Sequence, residues 1–356
     1  MKKTALVVII LVLAAISLVS LDSIAPELVI RQAVFFGSGL TLMLLISQTR
    51  FQDWKVLSSW IYWLTNLLLL GLLFFGQATR GTVGWITLPF GFKFQPSQFA
   101  VTASALFLAF HLKQLNLAKL GDFAQYLVWM LLPAVLILLE PDIGTGLVYL
   151  GSMVIPLLAV KIPNKYWVGM IAAGLIGAVL LWNFGLSYQR KQRITSFLGG
   201  YQQSKSAASY NARQALIAVG SGELYGRGLG FGVQSHLKFL PERQTDFIFA
   251  SLAEEWGFIG SCLVVLIYSS LCTYLILLSI NLTTKGEQIF VLTITMMFVI
   301  QIGINIGMNL GLTPITGITL PLLSYGGSSL MAFLVSLGFV LSLTNYQPQQ
   351  ELKEIR

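Results

Sequence analysis

Ten apolar stretches, most of them about the length of a membrane-crossing helix, constrain this chain more than any other feature. They run near residues 4–20, 33–48, 57–76, 97–112, 123–139, 144–160, 166–187, 247–279, 289–310 and 324–344. Crossing roughly 30 Å of hydrocarbon takes about 20 apolar residues in a helix. In lipid only a helix or a closed barrel satisfies its own backbone. Composition points the same way: 56% of the residues are hydrophobic and 10% charged, against roughly 25% charge in a soluble domain. The chain therefore reads as an all-α polytopic membrane protein of about ten transmembrane helices, one integral membrane domain over 1–356. Tilt accommodates the segments that are short or long for a span.

The opening Met1-Lys2-Lys3 and the apolar run to Ser20 resemble a signal peptide. No A-x-A cleavage site follows and further apolar stretches come after, so an uncleaved first helix is expected. Basic residues in the short loops set the expected orientation. With the N-terminus inside, the cytoplasmic side receives Lys2, Lys3, Arg50, Lys55, Lys113, Lys119, Lys161, Lys165, Lys285, Lys353 and Arg356, and the short outer loops only Arg31, Arg80 and Lys93. Both termini are expected in the cytoplasm. The net charge of +8 could suggest nucleic acid, but the bases sit in short runs between apolar stretches, which fits membrane topology. Cys262 and Cys272 share one apolar stretch, ten residues apart, and read as packing residues that a helix would hold too far apart for a disulfide. The short polar tail from Gln347 is too small for a domain.

One long polar segment, about 188–246, lands outside. It holds eight bases (Arg190, Lys191, Arg193, Lys205, Arg213, Arg227, Lys238, Arg243) and three acids (Glu223, Glu242, Asp246). Leu216-Ile217-Ala218-Val219, Leu229, Phe231 and Phe239-Leu240 give it enough apolar character to be ordered, re-entering or lying on the membrane. A basic surface at lipid level suits an anionic ligand such as a lipid-linked phosphate or diphosphate, or simply anionic headgroups.

Acidic residues in or beside apolar segments are costly and are functional by default. The candidates are Glu140, Asp142, Asp246, Glu254 and Glu255. Asp142, in Glu140-Pro141-Asp142-Ile143-Gly144-Thr145-Gly146, reads as a helix cap or as a site residue. Asp246 opens the long eighth stretch, where spacing alone leaves two equal readings. It is a cap favoured by the helix dipole, or a partly dry carboxylate with raised proton affinity, suited to general-base work. On a continuous helix Glu254 and Glu255 fall about 80° and 180° from Asp246. Glu254 would then share its cavity; alternatively the span starts near Phe258 and both glutamates lie at an interface. In the ninth stretch Gly303, Gly307 and Gly311 form a close-packing ladder, with Gln301, Asn305 and Asn309 about 200° around, facing a neighbour or a cavity. Gly169, Ala173 and Gly177 mark a packing face in the seventh. His111 and His236 lack ligand spacing, and there is no zinc pattern, phosphate loop or Gly-x-Ser-x-Gly. Hydrolase triads and nucleotide-driven transport have no support.

Several motifs stand in a fixed order. They are Gln95-Pro96-Ser97, Glu140-Pro141-Asp142-Ile143-Gly144-Thr145, Ile217-Ala218-Val219-Gly220-Ser221-Gly222, and Pro241-Glu242-Arg243-Gln244-Thr245-Asp246-Phe247-Ile248-Phe249-Ala250 with Ala253-Glu254-Glu255-Trp256-Gly257. Asn305-Ile306-Gly307-Met308-Asn309 then leads through Pro314 and Gly317 to Ser324-Tyr325-Gly326-Gly327-Ser328-Ser329. In this order, over nearly the whole chain, they resemble the SEDS family (shape, elongation, division and sporulation) of RodA and FtsW proteins; Thr316-Gly317-Ile318 looks closer to RodA. The resemblance implies a ten-helix peptidoglycan glycosyltransferase that polymerises lipid II outside the cytoplasmic membrane, in cell elongation and shape or in division. Its partners would be a class B penicillin-binding protein that crosslinks the strands and other cell-wall proteins. It also implies that Asp246 deprotonates the acceptor sugar hydroxyl, which displaces undecaprenyl diphosphate with inversion. Loop bases or a divalent cation, Mg2+ or Mn2+, must then neutralise the leaving diphosphate. Around Asp246 the candidate substrate-binding set is Asp142, Arg193, Arg213, Lys238, Glu242, Arg243, Thr245 and Ser324; no metal ligand is assigned.

The chain departs from the family where Glu and then Lys usually follow Gln-Pro-Ser: Gln98 and Val101 stand there. Both charges are missing together, as expected of a pair, since losing one would strand the other. Gly84 replaces the usual Arg before Trp85, and Gln244 the usual His before Thr245. Two other functions stay open at this level. Intramembrane acids and amides also describe a lipid II transporter, and the lost charges suit a catalytically weak scaffold.

Overall fold

The computed structural model describes residues 3–79, 82–87, 92–112, 116–160, 162–201 and 206–344. Of the residues weighed above, Lys2, Arg80, Lys113, Lys161, Lys205, Lys353, Arg356 and the tail from Gln347 lie outside the described residues. Helices α1 (Lys3–Ile24), α2 (Val29–Gln48) and α3 (Lys55–Phe75) precede a small antiparallel sheet. Its strands are β1 (Gln77–Thr79), β2 (Thr82–Thr87) and β3 (Lys93–Phe94), in the order β1-β2-β3. Then come α4 (Ser97–His111), α5 (Leu120–Leu139), α6 (Ile143–Val154) and α7 (Asn164–Leu180). The polar segment carries α8 (Tyr188–Leu198), α9 (Ala207–Ser221) and the one-turn α10 (Val233–His236), and α11 (Ile248–Ile280), α12 (Lys285–Asn309) and α13 (Gly327–Thr344) complete the chain. Sequence patterning gave no sign of the sheet, because each strand is too short to show alternation.

Eight helical segments are long and apolar enough to cross a membrane, and two shorter apolar ones, Ser97–His111 and Ile143–Ala159, bring the number to the ten expected. The protein is thus an all-α, multi-pass membrane protein. The 15-residue α4 spans about 22 Å, short of a full bilayer. Its position explains why it is apolar on every side: every residue from Ala100 to Phe110 is buried, among α3, α6, α12 and α13. Helix α7 is the opposite case, since only Tyr166 along its length is buried.

Two packing expectations need correction. Gly303 has nothing within 4 Å of where a Cβ would stand, while Gly307 faces Thr313 and Gly311 lies beyond the end of α12 against Leu216. The three glycines therefore do not form one helix–helix seam. Gly169 and Gly177 likewise meet nothing within 4 Å, so the α7 ladder is not a packing face among the described residues. Small residues permit close approach; they do not supply the neighbour.

Helix α11 breaks at Gly257, whose φ of 69° and ψ of −166° are open to glycine alone. Breaking a helix strands backbone groups that lipid cannot satisfy. Here the chain after α9 fills the gap. The N–H groups of Arg227 and Gly228 donate to the carbonyls of Glu254 and Glu255, and those of Phe258 and Ile259 donate to the carbonyls of Glu223 and Leu224. The long apolar stretch is therefore a short inserted helix followed by a span beginning at Phe258, one of the two alternatives open from sequence.

The polar segment packs as an ordered unit over its described residues. Ser206 caps α9 by accepting from the Ser209 N–H at 3.1 Å. Ala212, Ala215 and Ala218 on α9 then bury against Leu240, Phe247, Ala250, Met308 and Ile315. This second, smaller core fixes the start of α11 relative to the end of α12.

Candidate functional site

The site is built from the turn that launches α11. Residues 242–247 fold tightly enough that the Glu242 carbonyl accepts from the N–H groups of Thr245, Asp246 and Phe247. Glu242 pays for that geometry with a left-handed φ of 52°, a strain that persists only where surrounding contacts over-determine it. Thr245 Oγ1 donates to Glu242 Oε2 at 3.3 Å. From the other side, Ser324 Oγ donates to the Thr245 carbonyl at 2.6 Å and the Tyr325 N–H to the Gln244 carbonyl at 2.9 Å.

The amide stripe of α12 grips the same turn. Asn305 Nδ2 donates to the Asp246 carbonyl at 3.0 Å and to the Ile318 carbonyl at 2.7 Å. Asn309 Nδ2 donates to the Asp246 carbonyl at 3.2 Å, while its Oδ1 accepts from the Ala250 N–H at 3.0 Å. Ala250 lies in the first turn of α11, whose N–H groups have no partner within the helix, and the N-cap Phe247 has no side chain able to cap. Asn309 supplies that cap from another helix. The capping role that spacing allowed Asp246 thus falls to Asn309, and Asp246 sits half-buried with its carboxylate turned toward Gly317, 3.5 Å from where a Cβ would stand.

Gly317 has a φ of 79° and belongs to a segment that joins two acidic turns. On its far side Gly144, in the first turn of α6, approaches the Thr316 carbonyl and Ile318. Asp142 is the N-cap of α6: Oδ1 accepts from the Thr145 N–H at 3.0 Å, and Oδ2 from Thr145 Oγ1 at 2.8 Å and Gln95 Nε2 at 3.0 Å. Gln98, where the family carries Glu, donates from Nε2 to Gln95 Oε1 at 3.3 Å. Val101 is buried beside it without a charge to satisfy. An amide relay, Gln98 to Gln95, ending on the Asp142 carboxylate, stands where an ion pair is usual.

Burial raises the Asp142 carboxyl above its ordinary range, against the bonds from Thr145 and the positive charge of Arg190. Glu140, two residues earlier, is fully buried and is pushed up to about 8, first by burial and then by the Asp142 charge. Arg190 is lowered, by burial first and then by Arg193.

The predicted set divides. Asp246, Glu242, Thr245 and Ser324 come together, and Asp142 lies across the 316–318 segment. Arg243 is partly spent, donating from Nε and Nη2 to the Ile24 carbonyl at 3.2 and 3.0 Å. Arg193 and Lys238 are exposed and Arg213 is half-buried on α9. Glu254 and Glu255 do not line the Asp246 turn. Glu254 accepts from the Gln234 and Ser235 N–H groups and from Ser235 Oγ. Glu255 binds Ser23 and pairs with His236 at 3.1 Å, so both acids anchor the loop. Asn309 and Gln95 were not among the candidate substrate-binding residues, and Glu140 was named only among the candidate acids; the four-residue amide spacing was the visible signal for Asn305 and Asn309.

Comparison with known proteins places this geometry. The sequence model of the cell cycle protein family that groups FtsW, RodA and SpoVE matches residues 2–349. The chain is 36% identical over 326 residues to stage V sporulation protein E of Bacillus subtilis, covering 89% of this chain and 86% of that one. It is 32% identical over 350 residues to the peptidoglycan glycosyltransferase MrdB of Helicobacter pylori, covering 96% and 89%. A solved chain from a peptidoglycan synthase complex that coordinates polymerization and crosslinking superimposes with a TM-score of 0.82 at 29% identity, covering 97% of this chain and 99% of that one. With its apolar helices, this likeness makes it a multi-pass protein of the bacterial cytoplasmic membrane. A family match over almost the full length leaves one conclusion: the chain belongs to the SEDS family of FtsW, RodA and SpoVE proteins.

Proposed function

We infer that this chain is a peptidoglycan glycosyltransferase, the activity named for its MrdB relative, and that it polymerises lipid II with Asp246 as general base. The observation that carries the residue assignment is the clamp on Asp246. Asn305 and Asn309 hold its backbone carbonyl and Asn309 takes over the helix cap, which leaves a half-buried carboxylate on a strained turn facing Gly317. Such an arrangement orients one carboxylate and spends the neighbouring polar groups on keeping it still.

In this reading the Asp246 carboxylate takes the proton of the acceptor sugar hydroxyl. That oxygen forms the new bond to the anomeric carbon of the donor, and the bond from that carbon to undecaprenyl diphosphate breaks with inversion. A positioned general base contributes typically about 10²–10⁴-fold. The bases of the polar segment, Arg193, Arg213 and Lys238, provide positive charge on α8, α9 and the following loop for the diphosphate lipid. Arg243, Thr245, Glu242 and Ser324 hold the turn.

A divalent cation, Mg2+ or Mn2+, would neutralise charge on the departing diphosphate when bound. Among the described residues no three acidic, imidazole or thiolate side chains gather. Mg2+-like ions, however, keep several waters of their own and need only one or two carboxylates, with phosphates joining the shell where present. Glu140, whose two oxygens have no hydrogen-bond partner, together with Asp142, fits that requirement. A class B penicillin-binding protein is the proposed partner, supported by the synthase complex whose chain this one matches.

The test is polymerisation by the purified protein with its cognate penicillin-binding protein carrying an inactive transpeptidase, supplied with lipid II and Mg2+ or Mn2+. Strands from wild type and none from Asp246→Ala support the reading. Strands that survive the substitution remove Asp246 from the role. Lipid movement across vesicles without strands in either protein would favour the transporter.

A further inference from the structure

Glu140 is the least compensated charged group in the described structure. Its side chain is 0% exposed and neither carboxylate oxygen has a hydrogen-bond partner. A buried carboxylate in that condition either keeps a proton or holds a cation. The Gly84 backbone and the Gln95 side-chain amide stand beside it. Oε2 lies 3.0 Å from where a Cβ would stand on Gly84, and Gln95 Nε2 lies 3.8 Å from that same point. Gln95 in turn bonds Asp142, whose charge acts on Glu140. The main chain closes the pocket, because the Val83 N–H donates to the Glu140 carbonyl and β2 is thereby fixed against the α5–α6 turn. No basic side chain among the described residues bonds Glu140. The position nearest its carboxylate is occupied by a residue with no side chain at all.

We propose that Glu140 and Asp142 form a divalent-cation site at the α5–α6 turn, one that this chain carries before any lipid substrate is bound. Two carboxylates are hard oxygen donors, which select Mg2+ or Mn2+ over softer metals. Glu140 supplies oxygens with no competing bond. Asp142 is oriented for the task by Thr145 and Gln95, as outer groups commonly orient metal-binding carboxylates. The Thr316–Ile318 segment links the two regions, since Gly144 in the first turn of α6 approaches Thr316 and Ile318 while the Asp246 carboxylate approaches Gly317. This deepens the glycosyltransferase reading, yet its test needs neither lipid nor turnover.

The experiment titrates Mn2+ alone into chelator-stripped full-length protein in detergent, following loss of the free-ion paramagnetic resonance signal against a protein-free micelle blank. Wild type should show one saturable site. Glu140→Gln should weaken it at least tenfold. Gly84→Arg should do the same by a different route, since a guanidinium introduced beside Oε2 takes the carboxylate that the ion needs. Asp246→Ala should bind Mn2+ as wild type does, which separates this site from the proposed base. Melting curves and monodispersity of each variant confirm that it is folded. The proposal is overturned if wild type binds no more Mn2+ than the blank, in which case Glu140 holds only a proton. It is equally overturned if Glu140→Gln and Gly84→Arg bind as wild type, or if Asp246→Ala abolishes the site.

Discussion

Asn309→Leu is the perturbation that most directly tests how the fold holds Asp246. Leucine keeps the branching and heavy-atom count of asparagine but removes four hydrogen bonds at once. These run from Nδ2 to the carbonyls of Asp246 (3.2 Å) and Asn305 (2.7 Å) and to Asn305 Oδ1 (3.4 Å), and from the Ala250 N–H to Oδ1 (3.0 Å). Position 309 is fully buried, so water cannot replace them. The stranded Ala250 N–H alone costs about 1–3 kcal/mol, and each lost bond to a carbonyl about 0.5–1.5 kcal/mol. A destabilisation of roughly 2–6 kcal/mol follows. The rate should fall further than stability, because a catalytic group displaced by about 1 Å can lose on the order of 10²-fold.

Asn305→Leu provides the control. It removes the other donor to the Asp246 carbonyl together with the tie to Ile318, but leaves the cap on Ala250 in place. Because both asparagines act on one carbonyl, the double substitution should be non-additive by about 0.5–3 kcal/mol. Thermal melts in detergent give the stability change, and strand synthesis from lipid II gives the rate. Full polymerisation by Asn309→Leu, or strictly additive losses in the double variant, would refute the clamp.

Three further outcomes follow from other parts of the structure. Glu254→Ala strands the two N–H groups and the hydroxyl that its carboxylate accepts from residues 234 and 235, so it should lower the melting point and raise hydrogen exchange over 222–238, while unchanged exchange there would count against the anchor. Gly257→Ala should fail to accumulate as folded protein, since a Cβ would stand 2.2 Å from the Gly226 nitrogen and 2.6 Å from the Leu224 carbonyl oxygen; a monodisperse variant with wild-type melting would contradict the kink. In metal-stripped protein, Glu140 keeps a proton that the unfolded chain releases above the ordinary carboxyl value of 4.5, so stability should fall as pH rises from there toward about 8 and level off beyond. Asp142 is the charged group that reinforces this slope. Melting curves at pH 5.5 and 8 should show it in wild type and not in Glu140→Gln, with a ceiling on the order of 5 kcal/mol.

What could be read in the sequence depended on how far each signal reaches. Span-length apolar runs report on the solvent around a helix, and they located all ten apolar helices because lipid imposes the same requirement everywhere. Charge in the polar segment marked an unusual region, but not its use: Arg243 turned inward to the Ile24 carbonyl while Lys238 stayed exposed. Glycine ladders named permissible contacts at Gly303 and Gly177 that the fold does not make. The kink at Gly257 was invisible to periodicity, since the backbone that completes it comes from residues 223–228, some thirty positions earlier along the chain.

The same reasoning explains why Asp246 could not be settled from spacing. A cap and a base ask for the same residue at the same place, and only knowledge of what else bonds the first turn of α11 separates them. That knowledge sits fifty-nine residues away in Asn309, on a helix whose amide spacing announces a polar face but not its target. Asn309 takes the Ala250 N–H, so the general-base role proposed for Asp246 does not compete with a cap at that position. The amide chain from Gln98 through Gln95 to the Asp142 carboxylate makes a complementary point: with both charges of the usual pair absent, the amides bond one another and no charge is stranded at 98 or 101.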